Sequence, residues 1–343
     1  MIFLVLFPAM PRLLCMNMAE HGDSAGVPNI LADTAIPSTA GEAEREAQRA
    51  VWQAIETLVA GGRSGTLELL RSLGFPCTRL HSFGWTRDAC TRAGAGDSEA
   101  PSRIHVLLDE ASGVILNEGE PAVSHYALRP EKSTMSDFDD IRRAKFIGPQ
   151  FGAKRLLDFG CGAGGFVGLM RKLGWVAIGY DPVALGHRTL HDCVAANHIA
   201  DQPILKFDVI TAWHVIEHLT DPLAELRSMG EYLIEGGELV VEVPHAKSWL
   251  LHHCAAHRNA SLWSEHRILH TEESLSALLR HSGFEVRSLY YVQRHSLMNA
   301  LHWLEFGIGD GGTVPWSESD HEWAARLAAS KETDSLIVRA TRR

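Results

Sequence analysis

Residues 155–181 read RLLDFGCGAGGFVGLMRKLGWVAIGYD, two short apolar runs that each end in an acid, separated by a glycine-rich turn and one amphipathic stretch. Two strands joined by a helix of this length cannot form a hairpin; they lie parallel, with the helix crossing over one face. The same rhythm continues. FDVITAW (207–213) reads as a strand, DPLAELRSMGEYL (221–233) as a helix closed by Glu235, Gly236 and Gly237, and ELVVEVP (238–244) as a strand. TEESLSALLRHSGF (271–284) is then a helix, FEVRSLYYVQ (284–293) a strand and DSLIVRAT (334–341) a final strand, while VALGHRTLHDCVA (183–195) is expected to be helical. This order predicts an α/β fold with a doubly wound, mostly parallel sheet of seven strands, covered on both faces.

The front of the chain has a different character. Residues 1–40 read as a flexible lead, of which residues 19–40 mix Gly, Pro, Ser and Asp without periodicity. Residues 41–138 read as an α+β accessory region or cap, with a helix ending at Gly61 and Gly62 and a hairpin in RIHVLLDEASGVILNEG that turns at Glu110 to Gly113. Residues 139–343 hold the α/β domain. The opening MIFLVLFPAM is shorter than the ~20 apolar residues of a spanning helix and has no basic segment before it, so it is read as neither anchor nor signal peptide. The six cysteines are scattered with no Cys-x-x-Cys pair, which suits a reducing compartment and gives an expected cytoplasmic location. Acidic residues exceed basic ones by 42 to 32, so no nucleic-acid or membrane partner is expected.

Chemistry concentrates at the first turn. Gly160, Gly162 and Gly164 let the backbone turn sharply and approach a ligand, and the helix that follows aims its first N–H groups at it. Gly160, Gly162 and Gly165 also fit a dinucleotide-binding loop, which keeps an NAD-dependent oxidoreductase as an alternative. Asp158 weighs against that alternative: two residues before the first glycine it would repel a pyrophosphate but hold a positively charged amino group. Asp181 ends the next strand about twenty residues on, where a carboxylate accepts hydrogen bonds from ribose hydroxyls.

These residues resemble the class I S-adenosylmethionine-dependent methyltransferases. LLDFGCGAGGF looks like the first motif of that family, GYD like the second, and FDVITAWHVIEHLTDPLAEL with GGELVVEVP like the two that close its site. More narrowly the chain is similar to bacterial small-molecule methyltransferases that share WS-x-H, QR-x-x-L-x-N-x-L-x-WL and a late TD-x-L strand, here WSEH (263–266), QRHSLMNALHWL (293–304) and TDSLIV (333–338). The resemblance covers about residues 139–343. It implies S-adenosylmethionine as cofactor, with Gly160, Cys161, Gly162 and Gly164 beneath its methionine part, Asp158 on the amino group, Asp181 on the ribose, and Trp213 and His214 lining the methyl end. Cys161 itself reads as a small buried residue rather than a nucleophile.

The chain has 19 histidines, and eleven fall between His214 and His302. Methyl transfer to a hydroxyl needs a base, and His214, Glu217, His218, His245, His266 and His270 are candidates. His266 leads, through its match to WS-x-H, followed by His218. In HVIEHL, His214, Glu217 and His218 share one face if the segment is helical. Similar Glu-x-x-Glu-His clusters bind a divalent cation in some small-RNA and ubiquinone-type relatives, but His stands here for the first Glu and no metal is assigned. His252, His253 and His257 read as loop residues, and Tyr290, Tyr291, Trp303 and Phe306 as an aromatic core stripe. Gln293, Arg294 and Asn299 are candidates for a polar cleft. The acceptor is expected to be a small molecule, a sugar or nucleotide-sugar ahead of an aromatic or quinol hydroxyl, with a non-catalytic cofactor-binding subunit as the alternative of another class.

Overall fold

Apolar residues alternate their facing along Arg155–Phe159 (β4), and that alternation builds the domain: Leu156 packs to one side of the sheet and Leu157 to the other. The computed structural model describes residues 134–181, 206–263, 266–309 and 316–343, with residues 73, 79–84, 103–108, 113–117 and 193–194 before and between them. The expected flexible lead and the first expected helix lie outside these residues.

The chain before β4 supplies β1 (Arg79–Gly84), β2 (Arg103–Leu108), β3 (Ile115–Asn117) and helix α1 (Thr134–Ile147). Beyond β4 come α2 (Gly165–Lys172), β5 (Val176–Tyr180), β6 (Cys193–Val194), β7 (Phe207–Trp213), α3 (Pro222–Tyr232) and β8 (Leu233–Pro244). The remainder is α4 (Trp249–His253), α5 (Ala255–Trp263), β9 (Ile268–Leu269), α6 (Glu272–His281), β10 (Phe284–Val292), α7 (Leu297–Phe306), α8 (Glu318–Ser330) and β11 (Ser335–Arg342). No helix among the described residues is long and apolar enough to cross a membrane.

Seven strands form one sheet in the order β10-β11-β8-β7-β4-β5-β6. β4 pairs in parallel with both β5 and β7, so the winding direction reverses at β4 and leaves a crevice at the carboxyl ends of β4 and β7. β11 runs antiparallel to both β8 and β10. The fold is the doubly wound, Rossmann-like α/β sheet expected from the sequence. One local expectation is corrected: Cys193–Val194, read as the tail of a helix, pairs with β5 as an edge strand. The rest of that segment lies outside the described residues.

Both faces are covered, as the apolar strands require. One carries Leu157, Phe159, Ile210, Leu239 and Val241 against Leu226 and Met229 of α3 and Leu275, Leu278 and Leu279 of α6. The other carries Leu156, Val209, Val240 and Ile337 against Phe166, Val167 and Met170 of α2 and Ala144 of α1. Helix α3 starts where its sequence says, with Asp221 accepting from the Ala224 N–H (2.9 Å) and Pro222 at its first position.

A second, four-stranded sheet runs β1-β2-β3-β9. The expected hairpin is present, Leu108 opposite Ile115, and its short arm β3 pairs with β9, Ile115 opposite Leu269 and Leu116 opposite Ile268. The strands before residue 134 therefore reach the segment that follows the WSEH motif.

Candidate active site

The turn after β4 has the geometry that its glycines predict. Gly160 has φ +81, and its N–H donates to the Tyr180 carbonyl (2.7 Å), which locks the turn to the end of β5. Gly162 has φ +51, and nothing lies within 4 Å of where its β-carbon would be, so open space faces the backbone there. Its N–H donates to Asp181 Oδ2 (2.8 Å), tying the second acid to the loop. Helix α2 begins without a side-chain cap or an acid in its first turn, so its leading N–H groups remain for a ligand. Cys161 is buried in the core.

Asp158 is 2% exposed and accepts a hydrogen bond from the Thr211 hydroxyl (2.7 Å). Burial pushes its carboxyl up to about 7, against the pull of Thr211 and Arg143. A buried carboxyl in this condition favours a cationic ligand, which would stabilise its charged form. The open face of Gly162, the loop-bound Asp181 and the cation-seeking Asp158 together fit the amino acid and ribose parts of S-adenosylmethionine.

HVIEHL does not continue as an α-helix. His214 takes a left-handed backbone (φ 55), and only Ile216–His218 form a single 3-10 turn. Its conformation, which costs a non-glycine residue on the order of 1 kcal/mol or more, is held by its N–H to the Glu242 carbonyl (2.8 Å) and by its ring. The ring Nδ1 lies 3.1 Å from Glu217 Oε1, and Nε2 lies 3.7 Å from Glu242 Oε1.

Glu217 is fully buried at the centre of a histidine ring. His218 Nε2 stands 3.9 Å and His266 Nε2 4.0 Å from its Oε1, and the His218 and His266 rings are 4.8 Å apart. Burial would raise the Glu217 carboxyl, but the hydrogen bond from His214 and the nearby imidazoles outweigh it and bring it down to about 2. Burial holds His266 down at about 3 and His270 at about 4, so both are neutral near pH 7. The Nδ1–H of His266 donates to the Ser261 carbonyl (3.2 Å), which makes Nε2, on the side of Glu217, the unprotonated ring nitrogen. Glu217, His218 and His266 are also the residues, among those described, whose ligand atoms lie close enough to hold a metal ion, within 4.8 Å of one another.

Glu242 was not singled out by the sequence, although an acid inside the apolar run ELVVEVP was the signal available. It is fully buried and receives Arg142 Nη2 (2.6 Å) and Arg143 Nε (2.9 Å) from α1. Arg143 and Arg142 outweigh its desolvation and hold its carboxyl well below the usual range. Asp139 of α1 pairs in turn with Arg142 and with Arg294.

Arg294 is thus an internal ion-pair partner, and Gln293 bonds the His295 carbonyl and the Asp334 N–H. Asn299 is buried. Of the three, Gln293 lines a small pocket that it shares with Ser248, His257, His295, Glu332 and Asp334. Trp213 is buried edge-on to Phe166, with the Arg143 guanidinium 5.4 Å from its ring centre. Two further expectations are corrected: His252, His253 and His257 lie in helices α4 and α5, and Tyr290 and Phe306 are exposed at 41% and 57%.

The sequence model of the family described as methyltransferase domain matches residues 134–289, which take in the glycine loop, both acids and the Glu217 cluster. Residues 134–289 are a methyltransferase domain. The chain is 31% identical over 112 residues to a ubiquinone biosynthesis O-methyltransferase of Idiomarina loihiensis, covering 29% of this chain and 46% of that one. It is 35% identical over 108 residues to the enzyme of the same name from Cereibacter sphaeroides, covering 26% and 41%. The chain thus spans less than half the length of these curated relatives. Among solved structures it is similar to a S-adenosylmethionine-dependent methyltransferase from Archaeoglobus fulgidus, at 19% identity and a TM-score of 0.43, covering 60% of this chain and 94% of that one.

Proposed function

We propose that the methyltransferase moves a methyl group from S-adenosylmethionine to a hydroxyl of a small molecule, and that this hydroxyl is phenolic. The observation that carries the proposal is the pairing of neutral His266 with ionised Glu217 beside the glycine loop. Bound S-adenosylmethionine supplies an electrophilic methyl on a sulfonium, whose carbon–sulfur bond breaks with the electron pair returning to sulfur. The chain's own contribution is placement and proton transfer. Asp158 and Asp181 orient the cofactor, and the glycine loop admits it closely. His266 Nε2 takes the acceptor's proton as the new oxygen–carbon bond forms, and the Glu217 carboxylate stabilises the resulting imidazolium.

Burial makes the His266 imidazole a weaker base than a free one, and this bears on the acceptor. A phenol, with a pKa of about 10, gives up its proton far more readily than a sugar hydroxyl. The relatives named as ubiquinone biosynthesis O-methyltransferases support the same preference over the sugar or nucleotide-sugar expected from the sequence. The test is methyl-labelled S-adenosylmethionine incubated with the full chain and two acceptor panels, phenols and catechols in one, sugars and nucleotide-sugars in the other. Label is expected on the oxygen of a member of the first panel. Label found only in the second panel overturns the phenolic assignment, and label in neither overturns the activity for these acceptor classes.

A further inference from the structure

His266 owes its orientation to short connections at its own segment. Its Nδ1–H reaches the Ser261 carbonyl, and the Arg267 N–H donates to the Glu217 carbonyl (2.7 Å), joining this segment to the turn that carries His218. Asn117, at the end of β3, touches both sides of the same residue. Its side-chain Nδ2 donates to the Leu262 carbonyl (2.6 Å) and its backbone N–H donates to the Arg267 carbonyl (2.8 Å). One residue from the region before the methyltransferase domain thereby spans the stretch from Leu262 to Arg267 in which His266 sits.

We propose that Asn117 is a positioning residue for His266, and that the β2–β3 hairpin is a working part of the acceptor side rather than an attachment to it. The inference rests on the assignment of His266 as the base. Two features make the contact more than sheet pairing. The β3–β9 ladder pairs Ile115 and Leu116 with Leu269 and Ile268, yet it stops short of His266, and the Asn117 side chain carries the connection past the strand to the end of α5. Leu262 is the residue next to Ser261, whose carbonyl fixes the His266 tautomer. Holding the Leu262 carbonyl with a charge-neutral amide donor therefore sets the direction of the neighbouring peptide group and keeps the Ser261 carbonyl on His266 Nδ1. Residues 115–117 lie outside the stretch matched by the methyltransferase family, so the clamp is a property of this chain's own accessory region.

The experiment compares the full-length protein with Asn117→Asp, which keeps the size and the backbone N–H but replaces the amide donor with an acceptor that faces a carbonyl. Asn117→Ala is the second variant, should the first fail to fold. Nitrogen-15 NMR of the histidine rings, with the His266 signals identified by their loss in His266→Gln, reads the tautomer directly and needs no turnover. The native protein is expected to show His266 in the Nδ1-protonated form, and both variants a mixture of the two tautomers, with S-adenosylmethionine affinity within twofold of native. Turnover of the variants on the acceptor is expected to fall at least tenfold in kcat, with the KM for S-adenosylmethionine unchanged. An unchanged His266 tautomer in folded Asn117 variants overturns the proposal. If the tautomer shifts while the native protein transfers no methyl group, the positioning role stands and the assignment of the base fails instead.

Discussion

The Cγ2 atom of Val215 lies 2.3 Å from the point where a β-carbon on Gly160 would sit. The glycine loop proposed to hold the cofactor is therefore packed directly against the turn that leads to Glu217 and His218. Gly160 must remain glycine for two reasons at once, its left-handed φ of +81 and this contact.

Gly160→Ala is expected to weaken S-adenosylmethionine binding at least tenfold in a calorimetric titration and to lower stability by roughly 1–3 kcal/mol. Adding Val215→Ala removes the clash but not the backbone strain, so affinity should return only in part. Native affinity in the single variant would show that the loop does not carry the cofactor.

Asp158 gives the site a pH dependence. Its folded pKa, about 7, stands above the ordinary 3.8, so the ligand-free protein prefers the protonated form. The stability that this contributes is fully present below about pH 4 and is lost as pH rises through 7. Cofactor binding should run the other way, because the ionised carboxylate is the form that holds a cation. Affinity is expected to rise with pH up to about 7 and then level off, and Asp158→Asn should flatten both profiles. A native affinity that is flat between pH 5 and 8 would remove Asp158 from cofactor recognition.

His266→Ala should lower turnover at least tenfold while S-adenosylmethionine affinity stays within twofold, whereas Asp181→Ala should chiefly weaken cofactor binding. Single-turnover kinetics and equilibrium binding separate these outcomes. Unchanged turnover in the first variant sinks the base assignment.

Turnover should survive excess chelator, since neutral His266 beside Glu217 suffices for the proton transfer proposed. Loss of activity that a divalent ion restores would instead make Glu217, His218 and His266 metal ligands, for which their spacing is adequate.

Glu242→Ala leaves Arg142 and Arg143 facing a buried void where their carboxylate stood. Removing one partner of a buried ion pair costs about 3–5 kcal/mol, so a clear fall in melting temperature is expected. The effect should centre on α1, whose backbone amides should exchange with deuterium faster than those of α3. Exchange unchanged in α1 would mean that apolar packing of Ala144 and Phe146, not the ion pairs, holds the helix.

Much of this molecule was legible in one dimension because its signals are local. Strand and helix periods in residues 155–244 are set by the alternation of side chains, and a turn that needs positive φ selects glycine at 160 and 162 irrespective of the rest of the fold. Asp158 and Asp181 were legible for a related reason: each ends a parallel strand, and the reversal of winding at β4 brings the ends of such strands to one crevice. The ring of histidines was only half legible. His214, Glu217 and His218 are neighbours in sequence and would share a face on a helix, yet the segment forms a left-handed residue and a 3-10 turn, with the His214 N–H bonded to Glu242 on the adjacent strand.

The sequence by itself determined the sheet, the glycine turn and the placing of Asp158 and Asp181 beside it, since each depends on residues close along the chain. Only the tertiary structure decided which of the described histidines gather at Glu217, what neutralises Glu242, and that Asn117 bonds the Leu262 and Arg267 carbonyls on either side of His266. Those outcomes depend on carboxylates, imidazoles and guanidinium groups brought together from segments up to about 150 residues apart, where burial and unlike charge set each proton's place.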